Sequence, residues 1–140
     1  MRDYRGKRKD DGEWVYGNHW CNEEVNKHYI RSMNFQPARY DYTDYEVVPE
    51  SVGEDTRVKG IYGSIEIDGK MSKGGDIIEY SKSYNFAGYR NMVCFYEGGF
   101  RLFKRANDKY PIDLSICKVV EQLRGKVIGN IHDNPELLKE

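Results

Sequence analysis

Two acidic groups along the chain have the composition of a divalent-metal site: Asp76 with Glu79 and Lys82, and Glu66 with Asp68 and Lys70. Metal-dependent phosphodiester cleavage needs two or three carboxylates converging on the ion, often with a lysine beside them. In an extended strand, however, Asp76 and Glu79 point to opposite faces, and Asp68-Gly69 is a turn sequence. Asp76 follows Gly75 and reads as a turn residue bonding its own backbone. A third group is His19, Cys21 and His28. Zinc wants three or four N/S ligands in a tetrahedron, and His19-Trp20-Cys21 supplies only an i, i+2 pair, with no CxxC or HxxxH in the chain. His132-Asp133 falls at a strand-to-helix junction and reads as a turn or cap. No catalytic residue, cofactor or metal site is expected, and the chain does not read as an enzyme.

Charge offers a different chemistry. The first nine residues hold Arg2, Arg5, Lys7, Arg8 and Lys9 against Asp3, a net of +4. Trp14, Tyr16 and Trp20 follow, and aromatic rings near cations stack on unpaired bases. Arg5, Lys7, Arg8, Lys9 and Trp14 are the candidate nucleic-acid residues, with a second basic stretch at Arg101, Lys104, Arg105 and Lys109. Against them, residues 41–55 carry Asp41, Asp44, Glu46, Glu50, Glu54 and Asp55 and no Lys or Arg. Blocks of opposite sign meet within one chain or between subunits, giving register more than affinity. Protein contacts, including a homo-oligomer, are the favoured reading; nucleic-acid binding is the alternative.

The elements that must carry these groups are strands. Val, Ile, Tyr, Phe, Trp and Thr total 41 residues against 12 for Ala, Leu and Met, and β-branched and aromatic side chains suit a pleated, half-buried surface. At 140 residues the chain is one domain with enough surface to bury an independent core. A net charge of -1 excludes a uniformly basic nucleic-acid binder. No apolar run reaches the roughly 20 residues of a membrane span, and Met1 to Arg5 begins no signal peptide. Three widely spaced cysteines fit a reducing compartment, so a cytoplasmic protein with no membrane partner is expected.

Gly12 to Gly17 reads as a short aromatic strand. Residues 18–44 read as irregular, with Asn22 capping one helical turn and Arg39 to Tyr45 forming a tyrosine-rich connection into Glu46-Val47-Val48. Asp68-Gly69 marks a turn, and Asp76 to Tyr80 a buried strand. Met92 to Tyr96 and Phe100 to Phe103 flank Glu97-Gly98-Gly99 as a hairpin. Residues 112–123 fit strand and helix patterns equally. Lys126 to Ile131 is a last strand, and Asn134-Pro135-Glu136 opens a short helix docked by Leu137 and Leu138.

The run Lys126-Val127-Ile128-Gly129-Asn130-Ile131-His132-Asp133-Asn134-Pro135-Glu136-Leu137-Leu138 resembles the closing signature of YopX-like proteins, which phages and prophages encode. Tyr4 to Arg8 with Gly12 to Gly17 resembles the family's opening, Val47 to Gly53 its mid-chain segment, and Gly75-Asp76-Ile77-Ile78 its glycine–aspartate strand entry. A longer stretch over residues 54–74 departs from the pattern. The resemblance implies a mainly β single domain with a small SH3-like barrel core and a short C-terminal helix. Residues 1–45 would supply the N-terminal strand and extended connections, 46–131 the barrel-like core and 132–140 the helical tail. It implies no established activity and transfers no site residue. A phage or prophage accessory protein, contacting a host or phage protein in the bacterial cytoplasm, is the expected role.

Overall fold

The computed structural model describes residues 3–36, 39–81, 88–105 and 107–138, with the side chains of 34–36 and 39–40 left out. The chain is mainly β. Its strands are β1 (Tyr4–Lys7), β2 (Trp14–Asn22), β3 (Lys27–Gln36), β4 (Arg39–Val47), β5 (Gly53–Asp55), β6 (Tyr62–Ser64), β7 (Glu66–Ile67), β8 (Lys70–Met71), β9 (Asp76–Tyr80), β10 (Tyr89–Tyr96), β11 (Gly99–Phe103) and β12 (Lys126–Asn130). One α-helix, α1 (Ile116–Gln122), and 3-10 turns at Pro49–Ser51 and Pro135–Leu138 complete the described elements.

Ten strands join in the order β12-β9-β10-β6-β5-β1-β2-β3-β4, with β11 on the other edge of β10; β7 and β8 form a separate hairpin. The path has two ends, so the barrel expected over residues 46–131 is not closed. In the other half of the chain the sheet bends back on itself. There, β4 returns to the backbone after β1 through an Arg8–Val47 bridge, with the Val48 N–H donating to Lys7 O at 2.8 Å and the Lys9 N–H to Glu46 O at 3.0 Å. β1 is thus an interior strand, held by β2 on one side and β5 on the other.

The stretch 18–44, expected to be irregular, holds the end of β2, all of β3 and most of β4. β2, β3 and β4 pair antiparallel from Asn18↔Arg31 to Gln36↔Arg39. The expected helical turn at Asn22 is the β2–β3 turn instead: Asn22 Oδ1 accepts from the Glu24 N–H at 3.2 Å, and Asn26 takes positive φ. Both hairpin turns read from the sequence form. Asp68-Gly69 and Glu97-Gly98 each carry positive φ at both positions, the backbone that matches strand twist across a two-residue loop.

Residues 116–122 resolve to helix because Ser115 caps it, its Oγ accepting from the Lys118 N–H at 3.1 Å. Arg124 at positive φ and the Gly125 N–H bonding Val119 O at 2.8 Å stop it after about two turns. α1 lays Ile116 and Val119 on Ile78, Val93 and Leu102. On the opposite face of β9, Ile77 packs with Met92, Phe103 and Ile131 under Leu137 and Leu138 of the terminal turn. Consecutive Ile77 and Ile78 are both fully buried, so both faces of β9 are covered and its run is apolar without alternation. A third cluster, Ile30, Val47 and Val52, fills the curl between β3, β4 and β5.

Candidate functional site

Pairing of β1 with β2 sets Arg5 opposite Tyr16 and Lys7 opposite Trp14, so these four side chains share a face. The Arg5 guanidinium lies between two rings, 4.7 Å from Trp14 and 4.6 Å from Tyr62. Its Nη2 donates to Asp76 Oδ1 at 2.6 Å, and Nε and Nη2 both donate to Gly74 O. The second Asp76 oxygen accepts from the Tyr62 N–H at 2.8 Å. Arg5 is 9% exposed and Asp76 4%. Burial pushes the Asp76 carboxyl upward, and Arg5 and the Tyr62 N–H pull it back. Asp76 therefore anchors an interior ion pair, whereas the sequence suggested a bond to its own turn.

The other cations of the opening segment also meet carboxylates. Lys7 Nζ sits 2.5 Å from Asp133 Oδ1, whose other oxygen accepts from Trp14 Nε1–H and Asn130 Nδ2, both at 3.2 Å. Burial pushes the Asp133 carboxyl up, but the bonds from Lys7, Asn130, His132 and Trp14 hold it well below the usual carboxylate range. Arg8 grips Asp10 with two nitrogens, at 2.9 and 2.6 Å, reaches Asp11 at 3.2 Å and lies 4.5 Å above the Tyr45 ring. Lys9 meets Glu46 at 3.1 Å. Arg5, Lys7, Arg8, Lys9 and Trp14 thus form two connected clusters, and Lys9–Glu46 is an ion pair between the basic opening and the acidic 41–55 block. Arg2 and Lys82 lie outside the described residues.

The acidic candidates disperse. Glu79 pairs with Arg90 at 2.9 Å on the neighbouring strand, away from Asp76. Asp68, at the β7–β8 tip, reaches across to His28. Register brings His19 and Cys21 of β2 to the same face as His28 of β3. The two imidazoles stack at 5.1 Å with 5° between planes. His19 Nε2 meets His28 Nδ1 at 2.8 Å, His28 Nε2 meets Asp68 Oδ2 at 3.0 Å, and Cys21 Sγ lies 3.7 Å from the same His28 nitrogen. One choice of tautomers satisfies the chain: His28 Nε2–H donates to Asp68, and His19 Nε2–H donates to His28 Nδ1.

This is not a nucleophile–base–orienter arrangement. Asp68 and Cys21 share one ring nitrogen of His28, whereas a triad places the carboxylate on the far one. Burial and the nearby Asp68 and Glu23 also raise the Cys21 thiol, away from thiolate. Among the described residues no group of three His, Cys, Asp or Glu side chains is placed to hold a metal ion. The sequence grouped His19 and His28 with Cys21 but not with Asp68, which reaches them from the β7–β8 turn and not from a neighbouring position in the chain.

A further surface follows from the register of β2, β3 and β4. Opposite the histidines, Trp20, Tyr29, Arg31, Met33, Tyr42 and Asp44 line the other face of β2–β3–β4, as the pairs Trp20↔Tyr29, Arg31↔Asp44 and Met33↔Tyr42 require. Trp20 stacks on Tyr29 at 4.5 Å. Arg31 lies 4.0 Å above Tyr42 and makes two bonds to Asp44, at 2.9 and 3.0 Å. Trp20, Met33 and Tyr42 are 36%, 40% and 55% exposed. Large aromatic and sulfur side chains on one solvent-facing sheet form the kind of patch that marks a contact surface.

With the geometry in hand, comparison places the chain among known proteins. The model of a family described as YopX protein matches residues 3–139. The crystal structure of protein EF1440 from Enterococcus faecalis is similar at 16% identity over 99% of each chain, with a TM-score of 0.49. No curated protein matches the chain. No described helix is long and apolar enough to cross a membrane. Two stretches of the resemblance, the glycine–aspartate entry to β9 and the closing run through Asp133, receive Arg5 and Lys7 from β1. A family match over residues 3–139, nearly the whole length, means that the chain belongs to the YopX protein family.

Proposed function

We propose that this protein is a non-enzymatic accessory protein of phage or prophage, acting in the bacterial cytoplasm through protein contacts, its own copies included. One observation carries the reading: Trp20, Tyr29, Met33 and Tyr42 stand together on the outer face of β2–β3–β4. Tyr, Trp, Met and Arg are the residues enriched at interface cores. Around them Arg31–Asp44 and Lys27–Glu46 supply both signs of charge, as a self-complementary two-fold contact needs. β4 also ends the strand path, and no described strand pairs with its outer edge between Tyr42 and Tyr45. An edge of that kind is a template for a second copy.

Size-exclusion chromatography with light scattering tests it. The expected result is a dimer or higher oligomer at micromolar concentration that Tyr42→Glu converts to monomer with unchanged circular dichroism. A wild-type monomer, or an oligomer indifferent to Tyr42→Glu, overturns self-association through this face.

Nucleic-acid binding is the second reading, supported by Trp14, which stays partly exposed beside Arg5 and Lys7. Here a fluorescence titration with single-stranded oligonucleotide must show affinity falling steeply with salt. A flat salt response removes it.

A further inference from the structure

β7 and β8 form a two-stranded sheet of their own, apart from the ten-stranded one. Their hairpin is held at both ends. At its base, Ile65 and Ile67 pack on the Ile30, Val47 and Val52 cluster, and the Ser72 N–H donates to Ile65 O at 2.7 Å. At its tip, Asp68 meets His28 at 3.0 Å. Asp68, Gly69, Lys70 and Met71 are exposed, so the Asp68–His28 contact is what ties that end to β3.

Behind Asp68 the contact continues inward. His28 is 3% exposed, its Nδ1 lies 2.8 Å from His19 Nε2, and His19 is half-buried. With His28 Nε2–H donating to Asp68 and His19 Nε2–H to His28, His19 Nδ1 is the basic nitrogen left on the pair. The groups around it are few. The Tyr4 ring lies 5.8 Å from that of His19, and Cys21 Sγ lies 3.7 Å from His28 Nε2. Burial, then Asp68 and Glu23, raise the Cys21 thiol, and burial, then Glu54 and Asp3, raise the Tyr4 phenol, so both stay protonated. Glu66 and Lys70 flank Asp68 on the hairpin and are exposed.

An added proton enters at His19 Nδ1. The proton on His19 Nε2 then passes to His28 Nδ1, which leaves His19 neutral and accepting and His28 cationic with both N–H groups bonded. The positive charge comes to rest 3.0 Å from the Asp68 carboxylate, and a charge-assisted bond there is stronger than a neutral one. A second proton has no such place. It sets N–H against N–H between two cationic rings whose nearest nitrogens are 2.8 Å apart, and each charge disfavours the other.

We propose that His19, His28 and Asp68 are a two-step proton latch on the β7–β8 hairpin, which the first proton tightens and the second releases. Release lifts Asp68 from His28 and frees the tip, so that Ile67 comes away from the Val47 cluster. Burial and then His28 lower the His19 pKa below its ordinary 6.5, against the pull of Asp68, which puts release on the acid side of 6.5. The latch lies on the sheet face opposite Trp20 and Tyr42 and is independent of self-association.

NMR of the isotope-labelled full chain, titrated from about pH 8 to about pH 5, tests it. Ring-nitrogen spectra report the charge on each histidine, and backbone order parameters report the tip. Two successive steps shared by the pair are expected. Through the first, Gly69 and Lys70 stay near about 0.85; through the second they fall below about 0.6, while Ile30 and Ser32 of β3 stay rigid. His19→Gln keeps a donor and an acceptor beside His28 but takes up no proton, so its tip should stay ordered to the acid end. A tip that loosens in the first step overturns the proposal, as does one whose order never changes. Loosening of His19→Gln like the wild type overturns it too. Should His19→Gln fail to fold, Asp68→Asn applies a second test. Without the carboxylate the first step should move to more acid pH, and an unmoved first step overturns the latch.

Discussion

Arg5 and Asp76 stand 71 residues apart in sequence and 2.6 Å apart in the fold, each almost wholly buried. Their pairing is what fastens the first strand to β9. Removing one partner strands the other as an uncompensated charge, and such a loss costs roughly 3–5 kcal/mol. Arg5→Met and Asp76→Asn should each lower urea unfolding stability by that order. The double replacement should cost clearly less than the sum, since neither charge is then left alone. Additive losses would show that the two side chains act separately.

Gly75, immediately before Asp76, has no room for a side chain. A Cβ there would lie 2.3 Å from Val93 O and 2.7 Å from the Ser64 N–H group's nitrogen. Backbone cannot yield as a flexible side chain does, so Gly75→Ala should cost roughly 1–3 kcal/mol. Gly99→Ala is the control: nothing lies within 4 Å of its Cβ position, and a change within about 0.5 kcal/mol is expected. Thermal unfolding of the two variants side by side would decide whether β10 and β6 pack on Gly75 as tightly as the geometry says.

Burial, and then the neighbouring His28, lower the His19 pKa below its ordinary 6.5. The unfolded chain therefore takes up a proton on His19 before the folded chain does. The stability contributed is fully present above 6.5 and drains away as pH falls through the depressed folded value. Denaturant midpoints should drop on acidification below 6.5, and His19→Gln should flatten that slope. A proton NMR titration placing every histidine at or above 6.5 would contradict the buried stack.

Asp133 acts at lower pH. Its folded carboxyl lies well below the usual range, so its contribution holds above the ordinary 3.8 and is lost as pH falls beneath it. Lys7 and Asp133 are partly accessible, 21% and 30%, and solvent screening limits the pair to about 1 kcal/mol. Asp133→Asn should therefore cost about that much at neutral pH and less in acid. A loss several times larger would mean that Trp14 and Asn130 depend on the carboxylate more than their long contacts indicate.

What the residue pattern revealed depended on distance along the chain. The Glu97-Gly98 hairpin, the apolar run Asp76 to Tyr80, the strand after Lys126 and the Asn134-Pro135 turn all announce themselves within a few neighbouring residues, and all formed. β3 and β4 did not. Tyr40-Asp41-Tyr42-Thr43-Asp44-Tyr45 breaks its aromatic–polar alternation at Thr43-Asp44, so Tyr42 faces solvent and Tyr45 lies on the opposite face beside Arg8, and no single face reads as a core. The barrel implied by the family resemblance did not close over residues 46–131, and the Arg8–Val47 bridge, invisible in local sequence, shows the sheet bending back in the other half. Arg5 and Lys7 looked like surface charge for the same reason: Asp76 and Asp133 lie far down the chain, and no local spacing reports them.

The interior position of β1 bears on synthesis. The amino-terminal ribbon leaves the ribosome first, yet one of its flanks stays bare until Gly53 and Glu54 emerge, and its guanidinium waits for a counterion until Asp76 is made. Native pairing of so distant a kind is slow to form, and waiting strand edges invite wrong partners. A nascent chain halted before β9 should be recognised by chaperones or degraded, while the finished one escapes both.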